Sequence, residues 1–284
     1  MGTLVDALAS VDAFEADPDK ATAWRLDRAA TLARLRELLR NPDLMHQRGL
    51  NACGPAVFFR LWLARDPVAV ARFACTLLYR GAAEIGTLAV RPRPTLLHQD
   101  HAQIRNTADA AAGHQVTPET ADWMLLCALR DSENGLLEYR GEPDTFADRA
   151  AGVTLPSTLQ GWLAASGAWY LVQNHTNLVF AADPQHLLQT VPAPTVDVVL
   201  LANSTAATGI ATTPIVPGWA PPQPGLFPLP DHYIAMTGPF RQSTDQRWVH
   251  VDFWSWGERH AGWQGSELLM KDYFGQISGW VQPG

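Results

Sequence analysis

Cys53, His232 and Asp252 are the residues whose types can carry acyl transfer: a thiol nucleophile, an imidazole base and a carboxylate to orient that base. The strongest local signal is the run QRGLNACGPA at residues 47–56, a polar turn that delivers Cys53 to the start of an apolar helix. A thiol at a helix N-terminus meets unpaired N–H groups and the positive end of the macrodipole, which lower its pKa from about 8.5 into a reactive range. The same N–H groups can stabilise an oxyanion on a tetrahedral intermediate. His232 opens a predicted strand directly after a proline-rich stretch, where a ring can project from the rim of a sheet. Asp252 lies on the next predicted strand. Antiparallel pairing is expected to set it opposite the opening residues of the first, with its carboxylate holding the imidazole through Nδ1–H. His250, which shares the strand parity of Asp252, and His260 compete with His232 for the part of base.

The elements that must position these groups change character along the chain. Apolar residues at three- and four-residue spacing predict an amphipathic helix over 19–39, stopped by Asn41, Pro42 and Asp43. A helix over 54–63 follows, with Pro55 in its first turn, where a missing N–H does no harm. Further helices are expected over 68–79 and 122–130. The second half reads as strands over 195–201, 232–237 and 248–256, by β-branched content and alternation. Between them, residues 211–230 are rich in proline and glycine and read as a long loop. The expected fold class is α+β, a single domain over 1–284. It comprises an N-terminal helical segment (1–45), a helical lobe bearing the nucleophile (46–150) and a β-rich lobe with an antiparallel sheet bearing His232 and Asp252 (151–284).

Composition narrows the function. A chain of 284 residues, 47% hydrophobic and 17% charged, can bury a sizeable core. A net charge of −7 argues against nucleic acid, which needs clustered positive charge. No run of eighteen apolar residues occurs, so no membrane partner is expected. The first residues carry acids where a secretory signal carries a basic and then an apolar stretch. The expected location is therefore cytoplasmic, or outside the cell by a specialised secretion system without a cleavable signal. Three cysteines at wide spacing suit reduced thiols.

A cysteine at a helix start in a helical half, followed far downstream by His and then Asp on consecutive strands, resembles the papain-like cysteine peptidases. Gln47, six residues before Cys53, matches the oxyanion-hole glutamine of that clan. The resemblance implies that Gln47 and the Cys53 backbone N–H bind the oxyanion, with Asn51 as the alternative donor. The double-cysteine signature of papain and the cathepsins is absent, and the Cys-to-His interval is longer. The A-C-G-P-A helix start with a later Asp is more similar to divergent bacterial members, including double-glycine leader peptidases and effectors used between competing bacteria. That likeness implies a protein or peptide substrate, no cofactor and a cognate immunity protein as partner. Glutamine deamidation and transglutamination use the same thiol ester and stay open, as does a catalytically silent binding module.

Other features have plainer explanations. His98 and His101 lack a third ligand, so no metal is expected. The polar run 130–134 is expected to be a solvated helix end, with a border of the cleft as the alternative. Ser157 and Ser204 lack the elbow of a serine hydrolase. Cys75 and Cys127 sit in apolar helical runs and are expected to be buried and inert. The tryptophan-rich stretch 253–263 is expected to be core, with one indole walling the cleft.

Overall fold

The computed structural model describes residues 2–134, 138–143, 154–177, 184–193, 195–202, 231–242, 249–260 and 277–284, without the side chains of 184, 242, 249 and 250. The loop expected over 211–230, Ser204 and the side chain of His250 lie outside them. The described chain is mixed α+β and divides into two compact units, Met1–Thr154 with Ala165–Ala168, and Leu155–Ala164 with Trp169–Gly284.

The first unit is helical. Helix α1 (Leu4–Ala16) lies within the segment 1–45 expected to be helical, ahead of the helix read over 19–39; Thr3 and Asp6 close a reciprocal capping box that starts it. Helix α2 spans Arg28–Arg40, shorter at its front than the spacing predicts. Asp27 caps it by accepting from the Ala30 N–H. The N–H groups of Ala23 and Arg25 are already bonded to Leu78 and Leu97 carbonyls, which leaves them unavailable to a longer helix. Helices α3 (Cys53–Arg65) and α4 (Pro67–Arg80) fall where predicted and run a little further. After the hairpin of β1 (Ala83–Ile85) and β2 (Leu88–Val90) come α5 (Pro94–Leu97), α6 (His101–Ala112) and α7 (Thr120–Glu133). Helix α3 is buried on nearly every face, and its Phe58, Phe59 and Trp62 form one aromatic cluster with Phe73 of α4. Cys75 and Cys127 are buried and in no disulfide, and burial pushes Cys75 up to about 12.

The second unit is built on a six-stranded antiparallel sheet in the order β3 (Val172–Asn174), β10 (Ile277–Pro283), β4 (Val199–Ala202), β5 (His232–Met236), β8 (Phe253–Ser255), β9 (Glu258–His260). Helices α8 (Pro156–Ala165) and α9 (Pro184–Gln189) accompany it. A separate two-stranded ladder joins β6 (Arg241–Gln242) to β7 (Val249–His250). The strand expected over 248–256 is thus broken in two. Its break is at Asp252, whose carbonyl accepts from both Thr237 and Gly238 N–H groups and ties the turn after β5. Val198, Leu200, Ile234, Phe253 and Trp280 form the core of this unit. Among the described residues no helix is long and apolar enough to cross a membrane.

Candidate active site

Cys53 is the first residue of α3 and 8% exposed. The turn before it is pinned at four points. The His46 N–H donates to Asp122 Oδ1 at 2.8 Å, and Arg34 holds the same carboxylate. Arg48 turns left-handed at φ 51° and donates its N–H to His46 Nδ1 at 2.8 Å. Gly49 bonds the Val116 carbonyl, and Leu50 bonds that of Gln47. Burial, then the charges of Arg48 and Arg34, lower His46 to about 3, in keeping with a ring nitrogen that accepts.

One feature of this turn suits an anion. Side chains cap α1, α2 and α4, at Thr3, Asp27 and Asp66, whereas no side chain caps α3 at Ala52. Its first turn therefore keeps a field that favours negative charge. Gln47 is 8% exposed, and its Oε1 is enclosed with no hydrogen-bond partner among the described residues. A buried carbonyl oxygen of this kind costs free energy unless a donor engages it, so it calls for an N–H or O–H group rather than an anion. Gly54 is required beside the thiol: a Cβ there would stand 2.5 Å from Thr154 Oγ1.

A buried cation completes the surroundings. Arg130 is 7% exposed, donates to Thr154 Oγ1 at 3.4 Å and to Asn134, and is coupled electrostatically to Cys53. Burial lowers its pKa, while the charges of Tyr139, Glu133 and Cys53 raise it. The run 130–134 was expected as a solvated helix end, but Arg130 and Asp131 are buried. Asp131 accepts from the Arg93 N–H and guanidinium and from the Tyr139 N–H. Nothing in the local sequence marks Arg130 for burial: it follows the apolar run 123–129 as an ordinary charged residue near a helix end.

In the second unit His232 opens β5 and is 5% exposed. Its Nε2 stands 2.6 Å from Ser255 Oγ, and its ring lies flat on the Trp256 indole at 4.1 Å and 9°. Trp256 and Gly257 both have positive φ, 50° and 82°, making the tight turn of the β8–β9 hairpin and aiming the indole at His232. Holding an aromatic residue in that region is strained, and the stacking offsets part of the cost. Burial lowers His232 to about 3, so the ring is neutral near pH 7. Its Nδ1 makes no hydrogen bond with the described residues.

The expected contact between His232 and Asp252 is not made. Met236 pairs with Phe253, so Asp252 falls beside Thr237, at the far end of β5. Five residues of strand separate that point from His232, roughly 16 Å at about 3.3 Å per residue. Asp252 instead takes Arg241 Nη2 on both oxygens, at 2.9 and 3.0 Å. Ser255 holds the ring in its place, and at Nε2 rather than Nδ1. Of the rival bases, His260 is buried with its Nε2 3.3 Å from the Ser255 carbonyl, and burial lowers its pKa. His101 is likewise engaged, through Nε2 to the Pro118 carbonyl at 2.9 Å. Asn51 lies in the turn before α3 and is partly buried. Comparison of the chain with protein-family models, with curated proteins and with solved structures finds no match.

Proposed function

We propose that the protein is a cysteine peptidase of papain-like type that hydrolyses peptide bonds in a protein substrate, with Cys53 as nucleophile and His232 as base. The observation that carries this is the setting of Cys53: an uncapped helix start and a buried guanidinium coupled electrostatically to the thiol. Both favour negative charge where a thiolate and an oxyanion form. His232 supports it with a neutral ring oriented from one nitrogen and, among the described residues, unengaged at the other.

The mechanism requires the thiol and Nδ1 of His232 to meet. Nδ1 takes the proton of Cys53, and Sγ attacks the scissile carbonyl carbon. Gln47 and the Cys53 N–H receive the oxyanion. The C–N bond breaks as the imidazolium returns its proton to the leaving amine. Water, deprotonated by the same ring, attacks the thioester; the acid leaves and the thiol is restored. Ser255 and Trp256 position the ring. Asp252 has no step.

The test incubates the protein and Cys53→Ala with a bacterial proteome and compares them by mass spectrometry. New termini made only by the wild type, with a loss of at least about a thousandfold in the variant, are expected. Single-dalton shifts at glutamine would replace peptidase by deamidase, and products common to both proteins would remove catalysis from Cys53. An antagonistic effector role, with an immunity protein as partner, predicts that expression arrests growth in the wild type and not in Cys53→Ala.

A further inference from the structure

A second group of histidines lies in the sheet unit, on elements that the proposed reaction does not use. His175 follows β3, and its backbone N–H bonds the Trp280 carbonyl of β10 at 2.8 Å. His186 is the third residue of α9. Both side chains are exposed, and they flank one buried indole. His175 stacks on Trp280 at 4.8 Å and 26°, and His186 meets it edge-on at 4.7 Å and 90°. The indole is itself tied through Nε1 to Gln282 Oε1 at 3.3 Å. The two imidazole centroids are 5.7 Å apart at 67°. None of their four ring nitrogens bonds a protein group among the described residues.

We propose that His175 and His186 hold a borderline divalent transition-metal ion, Zn²⁺ or Cu²⁺, between their rings, with water completing its shell. The spacing fits. With metal–nitrogen bonds of about 2.0–2.1 Å and roughly 1.1 Å more to each ring centre, two imidazoles on a tetrahedral ion have centroids roughly 5.2 Å apart. The observed separation is about half an ångström wider, within the reach of a small change in side-chain angle. Trp280 holds both rings in advance of binding, so little side-chain freedom remains to be lost. Neutral imidazole is the ligating form, so binding a metal competes with protons. Imidazole donors select zinc and copper over magnesium and calcium, which take oxygen. Among the described residues no group of three or more His, Cys, Asp or Glu is placed to hold a metal. The site therefore has two protein ligands, and binds more weakly than a four-ligand structural zinc site. A bound ion would join the segment after β3 to α9 across Trp280 and stabilise the fold by mass action.

The experiment uses the full chain without a histidine tag, freed of metal by a chelator. Zn²⁺ and Cu²⁺ are titrated calorimetrically into the wild type, His175→Gln and His186→Gln, with melting temperatures recorded with and without Zn²⁺. One equivalent is expected to bind the wild type, at least tenfold less tightly in either variant. Zn²⁺ should raise the melting temperature of the wild type alone, and Mg²⁺ should do nothing. Both side chains are exposed, so the metal-free variants should melt close to the wild type. If a variant melts early, wild-type affinity at pH 5.5 supplies the second reading: protonation of the ligands should weaken binding at least tenfold. The site is refuted if the wild type lacks a one-equivalent event, if either variant binds as tightly, or if acid leaves the affinity unchanged.

Discussion

The surroundings of Cys53 and of His232 differ in kind. The helical unit gives the thiol an uncapped helix start and the electrostatic influence of buried Arg130, both of which favour a negative sulfur. The sheet unit encloses the imidazole between Trp256 and the interior and gives it one neutral partner, Ser255, which favours an uncharged ring. One half is built to hold an ion and the other to avoid one. In the proposed reaction, proton transfer from sulfur to nitrogen would thus be helped at its origin and opposed at its destination. Under that reading the resting protein lacks a preformed thiolate–imidazolium pair, and the transfer is completed with substrate bound.

The largest test of this contrast is on the sheet side. Ser255→Ala should lower kcat by about ten- to a hundredfold with little change in KM, because an unheld ring spends less time aimed at the thiol. Asp252→Asn should leave kcat within about twofold. The reverse ranking would restore Asp252 as the orienting group. On the helical side, Arg130→Gln should raise the apparent pKa of Cys53 alkylation by iodoacetamide by about one unit, the effect of removing a nearby opposite charge. His232→Ala should leave that pKa nearly unchanged; a matching rise would reveal a resting ion pair.

Stability should carry the same signature across pH. His232 and His46 are each lowered from 6.5 to about 3 in the folded chain. Between those values the unfolded chain binds more protons, so stability rises with pH. The contribution is complete above about pH 6.5 and is lost as pH falls towards 3, at up to about 1.4 kcal/mol per pH unit for each ring. Urea unfolding at several pH values should show this slope, reduced in His232→Gln. The smallest expected effect is on folding of Asp252→Asn. Its pair with a half-exposed Arg241 is worth under about 1 kcal/mol.

Much of the helical unit was legible because its signals are local. Pro55, the glycines and the apolar run after Cys53 mark where α3 starts, and Asp66-Pro67 and Gly81 bound α4. The helix over 19–39 was overrun at its front because hydrogen bonds from Ala23 and Arg25 to distant carbonyls compete there with helix formation. Burial of Arg130 and Asp131 was not legible, because the partners that make it tolerable, Arg93 and the Tyr139 backbone, come from elsewhere in the chain. Strand existence was legible near His232, but register was not. The ladder of β6 and β7 intervenes, and two N–H groups reaching the Asp252 carbonyl move the carboxylate a full strand length from the imidazole.

By itself the sequence determined the chemistry available: one thiol at a helix start, a preceding glutamine, and a histidine that opens a strand. These follow from spacing within a few residues, where backbone propensity and capping act. Only the tertiary structure decided which polar group meets which. Hydrogen bonds and charges act over a few ångströms, and those distances are set by strand register and helix packing between residues far apart in the chain. That is why Ser255 rather than Asp252 stands at the imidazole, and why Arg130 is buried beside Thr154 and Asn134 instead of solvated.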